Sequence, residues 1–135
     1  MTRCSAIANG ISCHGGLRPT TGTFFSFVDY MRPSVRLAAL EKINPVFIFT
    51  HDSVAVGEDG PTHQPVEQLM SVRIIPGLVT IRPGDANEVS EAWKYMLKNK
   101  DNPYVLVLSR QDIETLDRKK YAKADGLAKG AYVLS

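Results

Sequence analysis

Along this chain, stretches in which apolar residues recur at three and four positions take turns with short, nearly continuous apolar runs. The first kind is the signature of a helix with one buried face, the second of a strand covered on both sides. Residues 3–15 place Ile7, Ile11 and His14 at helical spacing, and Gly15-Gly16 supplies a stop. Residues 19–25, rich in Thr and Phe, suit a short strand. Residues 27–42 repeat Val28, Met31, Val35, Ala38 and Ala39 as a helix would, with Pro33 marking a kink or a restart. Residues 46–50 form a central strand. Residues 65–72 read as a helix with Pro65 and Glu67 in its first turn, broken at Pro76-Gly77, and residues 78–82 as the next strand. Asp85 and Glu88 have capping-box spacing ahead of a helix over 86–98, whose stripe is Val89, Ala92, Trp93, Met96 and Leu97. Asn102-Pro103 turns the chain into a strand over 104–108. Residues 111–129 are charged and weakly periodic, a surface connection, and residues 131–134 begin a further strand.

Four helices alternating with strands predict an α/β fold: three α/β/α layers with a mostly parallel sheet and right-handed crossovers. The division expected is an α/β domain over residues 1–110, and over 111–135 a connection and strand leading toward a further C-terminal domain, since so long a connection is unusual inside a compact unit. The segment from Thr50 to Pro65, THDSVAVGEDGPTHQP, is then a long loop at the carboxyl end of a strand, where open α/β sheets keep their ligand sites.

Composition narrows the partners. At 135 residues and 44% hydrophobic, the chain has enough apolar material for one core. Its 16 basic and 14 acidic residues give a net charge of +2 with no basic block, which argues against nucleic acid. No apolar run approaches the roughly 20 residues of a membrane span, and the first residues lack the apolar core of a secretory signal. Cys4 and Cys13 follow neither disulfide nor zinc spacing. These features fit a cytoplasmic protein.

Three groups of residues invite chemistry. The loop carries His51, Asp52, Ser53, Glu58, Asp59, Thr62 and His63. Imidazoles and carboxylates in one loop can exchange protons near neutral pH or hold sugar hydroxyls and phosphates; the same residues also suit a solvated turn. As metal ligands His51, Glu58, Asp59 and His63 match no tight spacing. Phe24, Phe27 and Tyr30, spaced by three, would share one helical stripe and either stack on a flat heterocycle or fill the core. Ser109-Arg110-Gln111 follows an apolar strand, where a guanidinium can grip a phosphate with two bonds or stay idle at the surface. His14, at a helix end, is explained by the dipole there.

Taken together, these segments resemble transketolase. THDSVAVGEDGPTHQPVEQL is similar to that family's most recognisable stretch, and AIANGI with HGG, TFFSFVDY, IRPGDANEVSEAW and LSRQ resemble further segments in the same order. The resemblance spans nearly the whole chain and points to the middle, pyrimidine-binding domain only. It implies thiamine diphosphate as cofactor, with Phe27 stacking on the aminopyrimidine and Phe24 and Tyr30 beside it. It implies that His51 and Arg110 bind the sugar phosphate, Asp59 contacts the donor's C2 hydroxyl, and His63 lies near the reacting carbon. The implied reaction moves a two-carbon ketol unit from a ketose phosphate to an aldose phosphate, the step at the centre of the pentose phosphate pathway.

The resemblance also implies absences. The family's cofactor-activating glutamate would align with Met1, and the Mg²⁺ and diphosphate belong to a preceding domain, in the family that of a partner subunit. The chain alone is therefore expected to be inactive, to bind the cofactor weakly or not at all, and to form homo-oligomers through exposed apolar surface, with Phe24, Phe25, Phe27 and Tyr30 as candidates. Two alternatives stay open: a related thiamine enzyme (a formaldehyde transketolase or deoxyxylulose-phosphate synthase), and a non-catalytic binding or assembly module that kept the fold.

Overall fold

A computed structural model describes residues 2–135. The position aligned with the missing glutamate, Met1, lies outside the described residues. The chain runs α1 (Thr2–His14), β1 (Thr20–Phe24), α2 (Val28–Leu40), β2 (Val46–Thr50), α3 (Gln68–Arg73), β3 (Val79–Ile81), α4 (Ala86–Lys98) and β4 (Tyr104–Val107), the expected alternation. The four strands pair in the order β1-β2-β4-β3, all parallel, with Val46 opposite Thr20 on one side and Tyr104 on the other.

The two-residue period of the strands builds two cores. Phe47, Phe49, Val105 and Val107 point to one face and pack against Phe25, Val28, Met31, Val35 and Ala38 from the α2 side and Val72 and Ile75 from the α3 side. Val46, Tyr104 and Leu106 point to the other and meet Ala92 and Met96 of α4. This is a three-layer α/β/α domain, and both central strands are buried, as their continuous apolar runs require.

α2 is continuous through Pro33, its sixth residue, so the expected kink or restart is not a break. It ends in a Schellman motif: Ile43 N donates to Ala38 O (3.1 Å) and Lys42 N to Ala39 O (3.3 Å), with Lys42 in the left-handed region at φ 54°. Asp85 caps α4 by accepting from Glu88 N at 2.9 Å. The return bond of the capping box goes one residue further out, from Gly84 N to Glu88 Oε2 at 2.8 Å.

Five expectations need correcting. On α1, Ile7 (61% exposed) and Ile11 face outward, while Ser5 and Ala8 are the buried positions beside α2. α3 starts at Gln68, not Pro65, because the Gln68 side chain is used tertiarily: Oε1 accepts from Val66 N (2.8 Å) and Nε2 donates to Asp29 Oδ2 (2.9 Å). Leu97 leaves the α4 stripe for solvent. Phe25 is fully buried against Phe49, which removes it from the candidate association surface. No strand forms over 131–134; Leu134 O accepts from Ala122 N, and Tyr132 is held by its side chain instead.

Candidate functional site

Strands β1, β2 and β3 are followed by connections on the α2–α3 face or cross to α4, and the chain beyond β4 lies against α4. The carboxyl ends of β2 and β4, adjacent in the sheet, therefore send the chain to opposite sides. That divergence is the crevice where ligands bind in open parallel sheets. His51 follows β2 and Arg110 follows β4, so both stand at this crevice.

The aromatic trio does not lie on one helix as expected. Phe24 ends β1, Phe27 ends a 3₁₀ turn (Phe25–Phe27), and Tyr30 is in the first turn of α2. The tight turn sends Phe25 into the core and leaves Phe24 and Phe27 half-buried with parallel planes, 8° apart and 6.2 Å between centroids. Tyr30 lies 6.2 Å from Phe27 and is 63% exposed.

The long loop folds back onto these rings. His51 stacks on Phe24 at 3.7 Å between centroids and 23° between planes, and its Nδ1 lies 3.0 Å from Thr50 Oγ1. Its backbone is left-handed at φ 61°, a conformation that costs a non-glycine residue on the order of 1 kcal/mol and persists only where surroundings impose it. Beyond it Ser53 Oγ accepts from Ala55 N to start a 3₁₀ turn, and buried Val56 pins that turn to the protein. Gly57 and Gly60, both at positive φ, then close a hairpin bend through Gly60 N to Gly57 O (3.1 Å), carrying Glu58 and Asp59 at an exposed tip. Pro61 begins a second 3₁₀ turn that brings His63 back, edge-on to Phe27 (5.2 Å, 79°) and to Phe24 (6.0 Å, 74°). Thr62 Oγ1 lies 2.8 Å from His63 Nδ1.

Five of the seven residues given roles by the family resemblance (Phe24, Phe27, Tyr30, His51 and His63) thus form one half-exposed patch of rings at the carboxyl edge of β1 and β2. Asp59 and Arg110 stay outside that patch, exposed on the loop tip and beyond β4. Gln111 joins their two loops by donating from Nε2 to Ala55 O. Among the described residues no three His, Cys, Asp or Glu side chains come together as metal ligands; His51 and His63 face rings and Glu58 and Asp59 face solvent.

A family model described as transketolase, pyrimidine binding domain, matches residues 2–115. The chain belongs to the transketolase pyrimidine-binding domain family. A transketolase of Halalkalibacterium halodurans is 56% identical over 130 residues, which is 96% of this chain and 20% of that protein. Transketolase from Leishmania mexicana superposes with a TM-score of 0.89 at 44% identity, over 95% of this chain and 19% of that one. A Pichia stipitis transketolase whose crystal structure is a complex with sedoheptulose-7-phosphate superposes with a TM-score of 0.87 at 40% identity, over 95% and 19%. The chain spans about a fifth of the length of the transketolases it matches.

Two polar features of this transketolase domain escaped sequence reasoning. Asp52, with its side chain 6% exposed, accepts from both Nε and a terminal nitrogen of Arg82, each at 2.7 Å. Nothing in the spacing links residues 30 apart. The other is a cluster at the amino end of α4, away from the rings. There Asp85 accepts from Arg118 (2.7 Å), Leu116 N (3.1 Å) and Asn87 (3.2 Å) as well as Glu88 N. Burial alone would raise the Asp85 carboxyl, but these four hydrogen bonds outweigh it and hold it below its usual value. Arg118 also donates to Tyr132 Oη, and Tyr132 donates to Glu88 Oε1, a bond that together with burial raises the Tyr132 hydroxyl. A weakly periodic, charged segment gave no hint of these contacts because they are made by single side chains.

Proposed function

We propose that this chain is the pyrimidine-side half of a transketolase site, within an enzyme that transfers a two-carbon ketol unit between sugar phosphates. The observation that supports this most is the convergence of Phe24, Phe27, Tyr30, His51 and His63 from separate elements onto one ring-lined patch. Half-exposed rings with imidazole edges beside them suit a flat, polar heterocycle better than a dry core does. The residues present therefore fit the aminopyrimidine of thiamine diphosphate, with Phe27 as the stacking face and Phe24 and Tyr30 as walls. When bound, that cofactor supplies the nucleophilic carbon and the electron sink that ketol transfer needs.

The protein's part is recognition and proton handling. Arg110, beyond β4, presents a planar fork of donors suited to a phosphate, and His51, across the crevice, adds a second donor. Asp59, at the loop tip, accepts a hydrogen bond from a hydroxyl of the sugar phosphate. His63, its Nδ1 engaged by Thr62, leaves Nε2 to hold or deliver a proton at the reacting carbon. Mg²⁺ and the diphosphate are assigned to the diphosphate-binding domain of a partner subunit in a cytoplasmic homo-oligomer. Ketose and aldose phosphates are the substrates, and the chain on its own is inactive. Among the described residues no helix is long and apolar enough to cross a membrane.

The test is a coupled ketol-transfer assay on the chain alone and on the full-length protein. Turnover is expected only from the full-length protein, and Arg110→Ala there should raise KM for a ketose phosphate by about tenfold or more with a smaller change in kcat. Robust turnover by the chain alone, or an Arg110→Ala enzyme with unaltered KM, would overturn the assignment.

A further inference from the structure

We propose that the Asp52–Arg82 ion pair is a positioning strut for the phosphate end of the site, acting through the backbone of His51. The proposal rests on the reading of His51 given above and adds two residues to it.

β4 lies between β2 and β3 in the sheet, so the carboxyl ends of β2 and β3 are two strand spacings, about 10 Å, apart. Asp52 and Arg82 cross that gap over the end of β4. Arg82 places two nitrogens on one oxygen of Asp52 at 2.7 Å, and the carboxylate side chain is almost wholly enclosed. On the opposite side of β2, the adjacent His51 lays its ring on Phe24 of β1. Two consecutive residues are thus pulled toward opposite edges of the sheet, and the backbone between those anchors is left-handed at His51. A left-handed histidine next to a strand relaxes to an extended conformation unless both its ring and its successor are held. The stack holds the ring, and the ion pair holds the successor. Relaxation would swing the imidazole off Phe24 and away from the crevice shared with Arg110.

Asp52 and Arg82 bind each other and stack on none of the rings of the patch, so they are positioning residues whose loss should register through His51. In the full-length enzyme, Arg82→Met and Asp52→Asn are expected to raise KM for a phosphorylated ketose about tenfold, to keep kcat within about twofold, and to leave KM for an unphosphorylated ketol donor unchanged. Arg82→Lys should recover part of the loss, and Arg82→Met should add nothing to His51→Ala. A crystal structure of the Arg82→Met enzyme is expected to show His51 out of the left-handed region and off Phe24. Equal KM increases for both donors, multiplying effects of Arg82→Met and His51→Ala, or an unmoved His51 in that structure would each overturn the proposal. If His51→Ala alone leaves KM for the phosphorylated donor unchanged, the reading of His51 as a phosphate ligand fails, and the crystal structure still decides whether the ion pair holds its backbone.

Discussion

At the carboxyl ends of β1 and β2, two imidazoles sit among half-exposed rings. At the amino end of α4, Asp85, Glu88, Arg118 and Tyr132 bind one another in a closed set. Both regions concentrate ionisable side chains, yet they use them differently. In the α4 cluster nearly every donor and acceptor is taken by the chain itself, and the outcome is a C-terminal segment tied to the domain. In the ring patch the contacts are π-faces and edges, which orient the imidazoles while leaving nitrogen atoms for a ligand. A nearly saturated cluster stabilises, whereas one left incompletely bonded keeps polar atoms free for other partners.

The sharpest way to break that comparison is a pair of neighbours. Phe25→Ala, at the fully buried position, is expected to cost about 3–5 kcal/mol in urea unfolding. Phe24→Ala, one residue earlier and half-buried, should cost less than about 1 kcal/mol while releasing the His51 ring it supports. Similar losses for the two would mean that the patch is core and not site.

Asp85→Ala comes next, at about 2–3 kcal/mol, because it removes a helix cap and strands buried donors at Leu116 and Arg118. The sign of its pH dependence follows from the lowered folded-state value. The Asp85 contribution is complete above pH about 4 and is lost as pH falls through the lower folded value, so Asp85→Asn should flatten the acid limb of a stability–pH curve. An unchanged acid limb would show that the cluster is not the saturated set it resembles.

Gly126→Ala tests the same cluster from outside. An added Cβ would fall 2.5 Å from Cγ of Tyr132, so the ring must shift and its bonds to Arg118 and Glu88 loosen, for about 1–2 kcal/mol. Limited proteolysis should then cut the segment after residue 111 faster, with the ring patch intact. The smallest expected effect has the opposite sign: Lys42→Gly, at the left-handed end of α2, should stabilise by roughly 0.5 kcal/mol, read as a small rise in Tm.

How much of this was legible beforehand varied with how locally each feature is determined. β2 and α4 have the bounds read from the sequence, because an unbroken apolar run and a cap at Asp85 are local signals. The order β1-β2-β4-β3 was not legible, since nothing in a strand's residues names its neighbour. Ile7 and Ile11 misled because periodicity reveals an apolar face without saying what covers it. Phe24, Phe27 and Tyr30 were singled out for a helical stripe and came together by another route, a 3₁₀ turn between strand and helix. The stack of His51 on Phe24, its left-handed backbone and the pairing of Asp52 with Arg82 depend on distant contacts and left no trace in the spacing.

The strand order also bears on how the chain is made. Among the described residues β3 pairs only with β4, and β4, the last of the four strands along the chain, inserts between β2 and β3. A nascent chain that has emerged only through α4 can form the β1–β2 ladder but has no place for β3, and the apolar faces of α3 and α4 lack the strand that unites them. Closure of these four strands waits for Tyr104–Val107 to clear the ribosome, so during synthesis the flanking strands and helices stay exposed until the centre of the sheet arrives.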